Sequence, residues 1–274
     1  MPDSSKRIAK ASPAPAADAF LLLFYSLIDP ASSTRSFGYT NAMLPSPMLL
    51  PEIIQRGHES HADSCAAMRA YTDARDATSA DQLWLVTHDP VFTLGLGADP
   101  AHVLQPHGIA VEQTDRGGEV TYHGPGQAII YLLIDLRRRH AQGRLLAREF
   151  VHAIEQAVIE TLAAYNLLGV RRTGAPGIYL GEGPQQGAKI AALGLKVRVN
   201  GCTYHGVALN VAMDLAPFGW INPCGQPGLA TTDLRSLGIA ATVEQVHAKL
   251  AQRLYQHLKG TPAAQSLRAE HDGP

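Results

Sequence analysis

The stretch Ala128-Ile129-Ile130-Tyr131-Leu132-Leu133-Ile134-Asp135-Leu136 is almost continuously apolar and of strand length. A strand with one wet face alternates, so this run predicts a buried strand. On its C-terminal side Leu145, Leu146, Phe150, Val151, Ile154, Val158, Ile159 and Leu162 recur at three- and four-residue spacing. That period predicts an amphipathic helix, closed by Leu167-Leu168-Gly169. Upstream, Leu83–Val86, Val91–Leu94 and Ile109–Val111 read as short strands, and Arg56–Asp76 as a helix with a mostly polar surface. Downstream, Gly177–Leu180, Lys189–Val199 and Gly206–Met213 are strand-like, and Pro217–Gly228 is a glycine- and proline-rich loop. Thr242-Val243-Glu244-Gln245 matches a capping box and opens a last helix through about Leu258. The elements do not alternate regularly enough for a doubly wound sheet. They predict an α+β fold, a single mixed-sheet domain with packed helices.

Immediately before the central strand stands Arg116-Gly117-Gly118-Glu119-Val120-Thr121-Tyr122-His123-Gly124-Pro125-Gly126-Gln127. Glycine lets a ligand approach the main chain closely but costs conformational entropy. An ordinary turn has no need of Arg116, Tyr122, His123 and Gln127 among its glycines, so the segment reads as a binding surface.

The chain has 274 residues, 46% hydrophobic and 17% charged, with a formal net charge of -1. That balance gives no global field for nucleic acid or an anionic membrane surface. Arg137, Arg138, Arg139, Arg144 and Arg148, with His140 among them, form a local basic cluster suited to docking an acidic partner. Residues 1–47 are rich in Pro, Ser and Ala and read as a poorly ordered extension. Their apolar run Ala19–Ile28 follows Lys6, Arg7 and Lys10 like a signal peptide, but is too short to span a bilayer. Met43 and Met48 precede the first convincing element, so the extension can lie upstream of the natural start. Residues 48–260 are expected to form the catalytic domain and 261–274 a polar tail.

Three cysteines, Cys65, Cys202 and Cys224, show no CxxC or Cys/His metal spacing, which suggests free thiols in a reducing compartment and no metal. Cys224 differs in context: Asn222-Pro223-Cys224-Gly225 places it on a stiffened, glycine-flanked loop, where a nucleophile is accessible. A free thiol with a pKa of ~8.5 is only a few per cent thiolate near neutrality, so a nearby cation is needed. Lys189, heading the small-residue strand Lys189-Ile190-Ala191-Ala192-Leu193-Gly194, is one candidate; His123 and His205 are rivals. No GxxxxGK[ST] is present, and Gly95-Leu96-Gly97 lacks the rest of a dinucleotide fingerprint. Glycine loop and small-residue strands together suit a narrow apolar slot, such as a fatty acyl chain needs.

From about Pro51 to Leu258 the chain resembles the lipoyl(octanoyl) transferases. The resemblance rests on Arg116-Gly117-Gly118, Thr121 to Gln127, Gly174-Ala175-Pro176-Gly177, Lys189 to Gly194, His205-Gly206-Val207-Ala208-Leu209-Asn210 and Pro223-Cys224-Gly225, in that order. Departures stand at Thr87-His88-Asp89-Pro90, at Gln226 and at Thr231-Thr232-Asp233-Leu234. The resemblance implies a fold shared with lipoate and biotin protein ligases. It implies transfer of an octanoyl group from octanoyl-acyl carrier protein to a lysine of lipoyl domains, the first step of endogenous protein lipoylation in the cytoplasm. Cys224 would carry the acyl thioester, and Lys189 would lower its pKa and manage protons. Arg116, Gly117, Gly118, Glu119, Val120, Thr121, Tyr122 and His123 would line the acyl pocket with Ala192, Leu193, Gly194, Gly206, Val207 and Ala208, supported by His205. No cofactor or ATP is implied, because the donor carries its acyl group on phosphopantetheine. The acceptors would be lipoyl domains of 2-oxoacid dehydrogenases and the glycine cleavage H protein. An ATP-dependent lipoate ligase and a non-catalytic acyl-binding relative are the alternatives.

Overall fold

A computed structural model of the protein describes residues 50–139 and 147–258. The expected N-terminal extension and C-terminal tail, with His140 and Arg144, lie outside the described residues. The central stretch forms β6 (Gln127–Leu133), buried at all seven positions. It lies inside a seven-stranded sheet of order β1 (Glu52–His58), β2 (Gln82–Thr87), β6, β10 (Thr203–Asn210), β9 (Lys189–Val197), β8 (Ala175–Leu180), β7 (Gly169–Arg172). Only the β1–β2 pair is parallel; every other neighbour runs antiparallel. A second, three-stranded sheet sets β3 (Val91–Leu94) between β4 (Ala110–Gln113) and β5 (Thr121–His123).

Both faces of the large sheet are covered, which is why β6 is apolar throughout. On one face α2 (Ala147–Ala163) and α3 (Val243–Leu258) pack on Ala128, Ile130, Leu132, Val207 and Leu209. On the other, α1 (His61–Ala74) sets Cys65 and Met68 against Trp84, Ile129, Tyr131, Tyr204 and Ala208. The predicted capping box is formed: Gln245 N donates to Thr242 Oγ1 at 3.3 Å, and Thr242 N to Gln245 Oε1 at 3.1 Å.

The bounds of two elements differ notably from expectation. Arg56, Gly57 and His58 belong to β1, and the helix starts only where the Ser60 hydroxyl caps Asp63 N at 3.1 Å. The central strand stops at Leu133 because Asp135 turns the chain, capping a 3₁₀ turn over Leu136–Arg138. The basic cluster is largely structural. Arg139 is buried, bonded to Asp81 and donating to Leu258 O at 2.7 Å, while Arg138 and Arg75, whose side chain is enclosed, also pair with Asp81. Arg137 pairs with Asp135 at 2.8 Å, and among the described residues of the cluster Arg148 alone matches the picture of an open charge. Among the described residues no helix is long and apolar enough to cross a membrane.

Candidate active site

The pairing of β6, β10 and β9 builds a hollow. Directly opposed residues in neighbouring strands point to one side of a sheet. One cross-strand row runs Tyr131, Gly206, Gly194 and the next Ile129, Ala208, Ala192. Each row holds one bulky residue followed by two that are almost without side chain, so the sheet surface dips. A cavity of about 80 Å³ occupies the dip, and all six residues line it.

The glycine stretch roofs the cavity rather than making a simple hairpin. Gly117 N donates to Leu195 O on β9 at 2.8 Å, and a Cβ on Gly194 would sit 3.0 Å from Gly117 O. Arg116 pins the loop from inside, donating from Nη2 to Thr93 O at 2.5 Å and to Thr93 Oγ1 at 2.9 Å. Arg116, Gly118, Glu119, Val120, Thr121 and His123 reach the cavity with Leu193, Val207 and His205. Gly117 and Tyr122 do not line it. Gly117 is the strut just described, and Tyr122 turns away onto Phe92 and Phe218, at ring centroids 5.6 and 5.4 Å.

Lys189 lies on the cavity wall and is 7% exposed. Its Nζ donates to Pro176 O at 3.0 Å and sits 5.7 Å from the Tyr179 ring centroid. This explains Gly174-Ala175-Pro176-Gly177: a Cβ on Gly177, at φ +122°, would come within 2.7 Å of Lys189 Cε and 2.5 Å of Ala191 O. Lys189 also holds the chain that returns from the Cys224 loop, since its N donates to Ala230 O and its O accepts from Thr232 N.

Cys224 falls in a 3₁₀ turn over Pro223–Gly225, with Gly225 at φ +65°. Its side chain lies outside the described residues. Asn222 N donates to His102 O at 2.8 Å, which anchors the turn, and Pro223 lines the same cavity as Lys189. A polar chain ties these pieces together. His123 Nδ1 meets Gln127 Oε1 at 2.7 Å, Gln127 Nε2 donates to Asn210 Oδ1 at 2.9 Å, and Asn210 Nδ2 donates to Thr232 O at 2.9 Å. In the departing segment, buried Asp233 accepts from Met213 N at 2.8 Å and Ser236 N at 2.7 Å, fixing the turn beyond Thr232.

The floor is a group of buried rings that sequence reasoning left scattered. His61 stacks on His123 at 5.9 Å, with His88 edge-on to both. Burial lowers the pKa of His61, takes His88 and His205 down to about 4, and carries His123 well below its ordinary value. All four are therefore neutral at pH 7. His205 adopts φ +60°, costly for a residue with a side chain, and its Nε2 meets Asp115 Oδ1 at 3.1 Å. Burial raises the Asp115 pKa, but hydrogen bonds from Tyr204, His205 and Arg69 outweigh it and hold the carboxylate well below its usual range. His61, Tyr131, Asn210 and Thr231 also line the cavity, although none of them was expected to. Tyr131 was traceable as the aromatic two places from Ile129 on one strand face; His61 carried no local signal.

A mixed sheet with a narrow slot roofed by a glycine loop defines a class of α+β domains with a pocket on the sheet face. Residues 60–255 match the lipoyl protein ligase A/B catalytic domain, and the chain belongs to that family. It is 68% identical over 210 residues to an octanoyltransferase of Herminiimonas arsenicoxydans, covering 77% of this chain and 97% of that one. It is 51% identical over 255 residues to an octanoyltransferase of Burkholderia thailandensis, covering 92% and 95%. Among solved structures it is similar to a lipoate-protein ligase A bound with ATP, with TM-score 0.61 at 15% identity over 76% of this chain and 85% of that one. At that identity the likeness concerns the fold.

Proposed function

We propose that this protein transfers an octanoyl group from octanoyl-acyl carrier protein to a lysine of lipoyl domains, through a thioester on Cys224. The observation that carries the reading is one cavity lined by the Gly/Ala rows, by Lys189 and by Pro223 of the Cys224 turn. The octanoyltransferase relatives support the choice of acyl group.

The Cys224 thiolate attacks the carbonyl carbon of the donor thioester. Its tetrahedral oxyanion is stabilised by backbone amides of the glycine loops and collapses with loss of the pantetheine thiolate. Lys189 favours the Cys224 thiolate by charge and supplies the proton that the leaving sulfur takes up. The acceptor lysine amine then attacks the Cys224 thioester, gives up a proton to Lys189, and expels the Cys224 thiolate as the amide forms. Thioester exchange is near isoenergetic, so no ATP or other cofactor is consumed. Acceptors on this reading are lipoyl domains of 2-oxoacid dehydrogenases and the glycine cleavage H protein, in the cytoplasm.

The test is a transfer assay with purified octanoyl-acyl carrier protein and a lipoyl domain. Octanoyl-lysine is expected without ATP, and no AMP from octanoate plus ATP. Strict ATP dependence with AMP release would overturn the reading in favour of a ligase. Binding of the donor without product would overturn it in favour of an acyl-binding relative.

A further inference from the structure

Cys65 has no part in the reaction above, and it does not stand alone. It follows His61 by one helical turn on α1, so the two side chains project from the same face. Its Sγ lies 3.5 Å from His61 Nε2. His205 reaches the same spot from β10, and one ligand atom from each of the three residues lies within 4.8 Å of the others. All three residues are buried. We propose that His61, Cys65 and His205 form a binding site for a thiophilic divalent cation of the zinc type, with its fourth coordination position opening into the cavity.

The donor set is one that zinc takes, and bond lengths of about 2.3 Å to sulfur and 2.0–2.1 Å to nitrogen at tetrahedral angles require S···N separations of about 3.6 Å. The Cys65–His61 separation of 3.5 Å already meets that. The widest separation has to close by about 1 Å, a side-chain adjustment. The outer shell is also in place. His61 Nδ1 meets Glu112 Oε2 at 2.6 Å, leaving Nε2 towards Cys65, and His205 Nε2 meets Asp115 Oδ1 at 3.1 Å, so a carboxylate backs each imidazole. Carboxylates behind ligating histidines fix ring orientation and raise basicity at metal sites. A thiol against an imidazole is a weak hydrogen bond and needs no such pair of carboxylates. On binding, the Cys65 S–H bond breaks, its proton goes to solvent, and the sulfur lone pair takes the cation. His61 and His205 both line the cavity, so three protein ligands leave one position facing it.

The experiment uses the full-length protein carrying Cys224→Ser, so that the loop thiol cannot contribute. Titration of the metal-free protein with Co²⁺ is expected to saturate at one equivalent, with a thiolate-to-cobalt charge-transfer band and the intense visible bands of four-coordinate cobalt. Azide should shift the visible bands by taking the open position. Adding Cys65→Ser should remove the charge-transfer band and weaken Zn²⁺ binding by at least about tenfold in calorimetry, the scale on which metal sites respond to altered ligation. Thermal melting without metal verifies that this variant is folded. Failure of the folded parent to bind Co²⁺, an unchanged charge-transfer band in Cys65→Ser, or visible bands indifferent to azide would each overturn the site as described.

Discussion

At the scale of single residues Lys189 is decisive: it is buried, donates to Pro176 O and lies against the Tyr179 ring. An ammonium at this position favours the thiolate form of a nearby thiol. Lys189→Ala should raise the pH midpoint for alkylation of Cys224, and the reaction at neutral pH should slow. Lys189→Arg keeps the charge but cannot release its proton, so it should preserve fast alkylation while impairing transfer. Rates of iodoacetamide labelling set beside transfer rates separate the two roles. An alkylation profile for Lys189→Ala that overlays the parent would move the activation to another group. Gly177 is a second point of leverage. Its backbone at φ +122° and its closeness to Lys189 mean that Gly177→Ala should cost on the order of 1–3 kcal/mol in urea unfolding and should lower transfer.

Elements set the shape of the slot. Ala192 and Ala208 face each other across β9 and β10, so Ala192→Leu should fill the hollow from one side. Octanoyl transfer is expected to fall by at least about tenfold while butanoyl transfer persists, since one misplaced apolar group in a pocket is worth about 1–3 kcal/mol. Equal loss for both donors would place the acyl chain elsewhere. The slot was largely legible because its residues fall in short glycine-flanked motifs that need no long-range knowledge. What escaped shares a physical cause. Strands β1 and β7 are the two edges of the large sheet, and their half-exposed residues carry no clear hydrophobic period. Strand β5 is three residues long and exists only because β3 pairs with it. His61 matters through Glu112, 51 residues away, and Arg139 through Asp81, 58 residues away, which no local pattern reveals.

Across the whole molecule, Asp81 holds Arg75, Arg138 and Arg139 together where β2, the end of β6 and the end of α3 meet. Removing one partner of a buried ion pair leaves the other uncompensated and costs about 3–5 kcal/mol. Arg139→Ala leaves Asp81 still paired with Arg75 and Arg138 but removes the bonds to Asp81 and Leu258 O, so it should lower the melting temperature by several degrees, at about 2–4 °C per kcal/mol for a domain of this size. A docking role would instead leave melting intact and raise only the Michaelis constant for the carrier protein. Stability should also depend on pH. His88, His205 and His247 have pKa values lowered by burial to about 4 in the fold, against about 6.5 when unfolded. The unfolded chain thus binds more protons between those limits, and stability falls as pH drops from about 6.5 towards 4. His247, whose Nε2 donates to Ile129 O at 3.0 Å, lies on α3 among the helices. His247→Gln should make urea stability less dependent on pH across that window, and an unchanged slope would contradict the assignment.

The covalent intermediate is the centre of the account, and intact-mass spectrometry reads it directly. After brief mixing with octanoyl-acyl carrier protein, the protein should gain the mass of one octanoyl group on Cys224, released by hydroxylamine and discharged by a lipoyl domain. Cys202→Ser should load like the parent, and Cys224→Ser should not load. A Cys224→Ser protein that still acquires the group or sustains transfer would contradict the account.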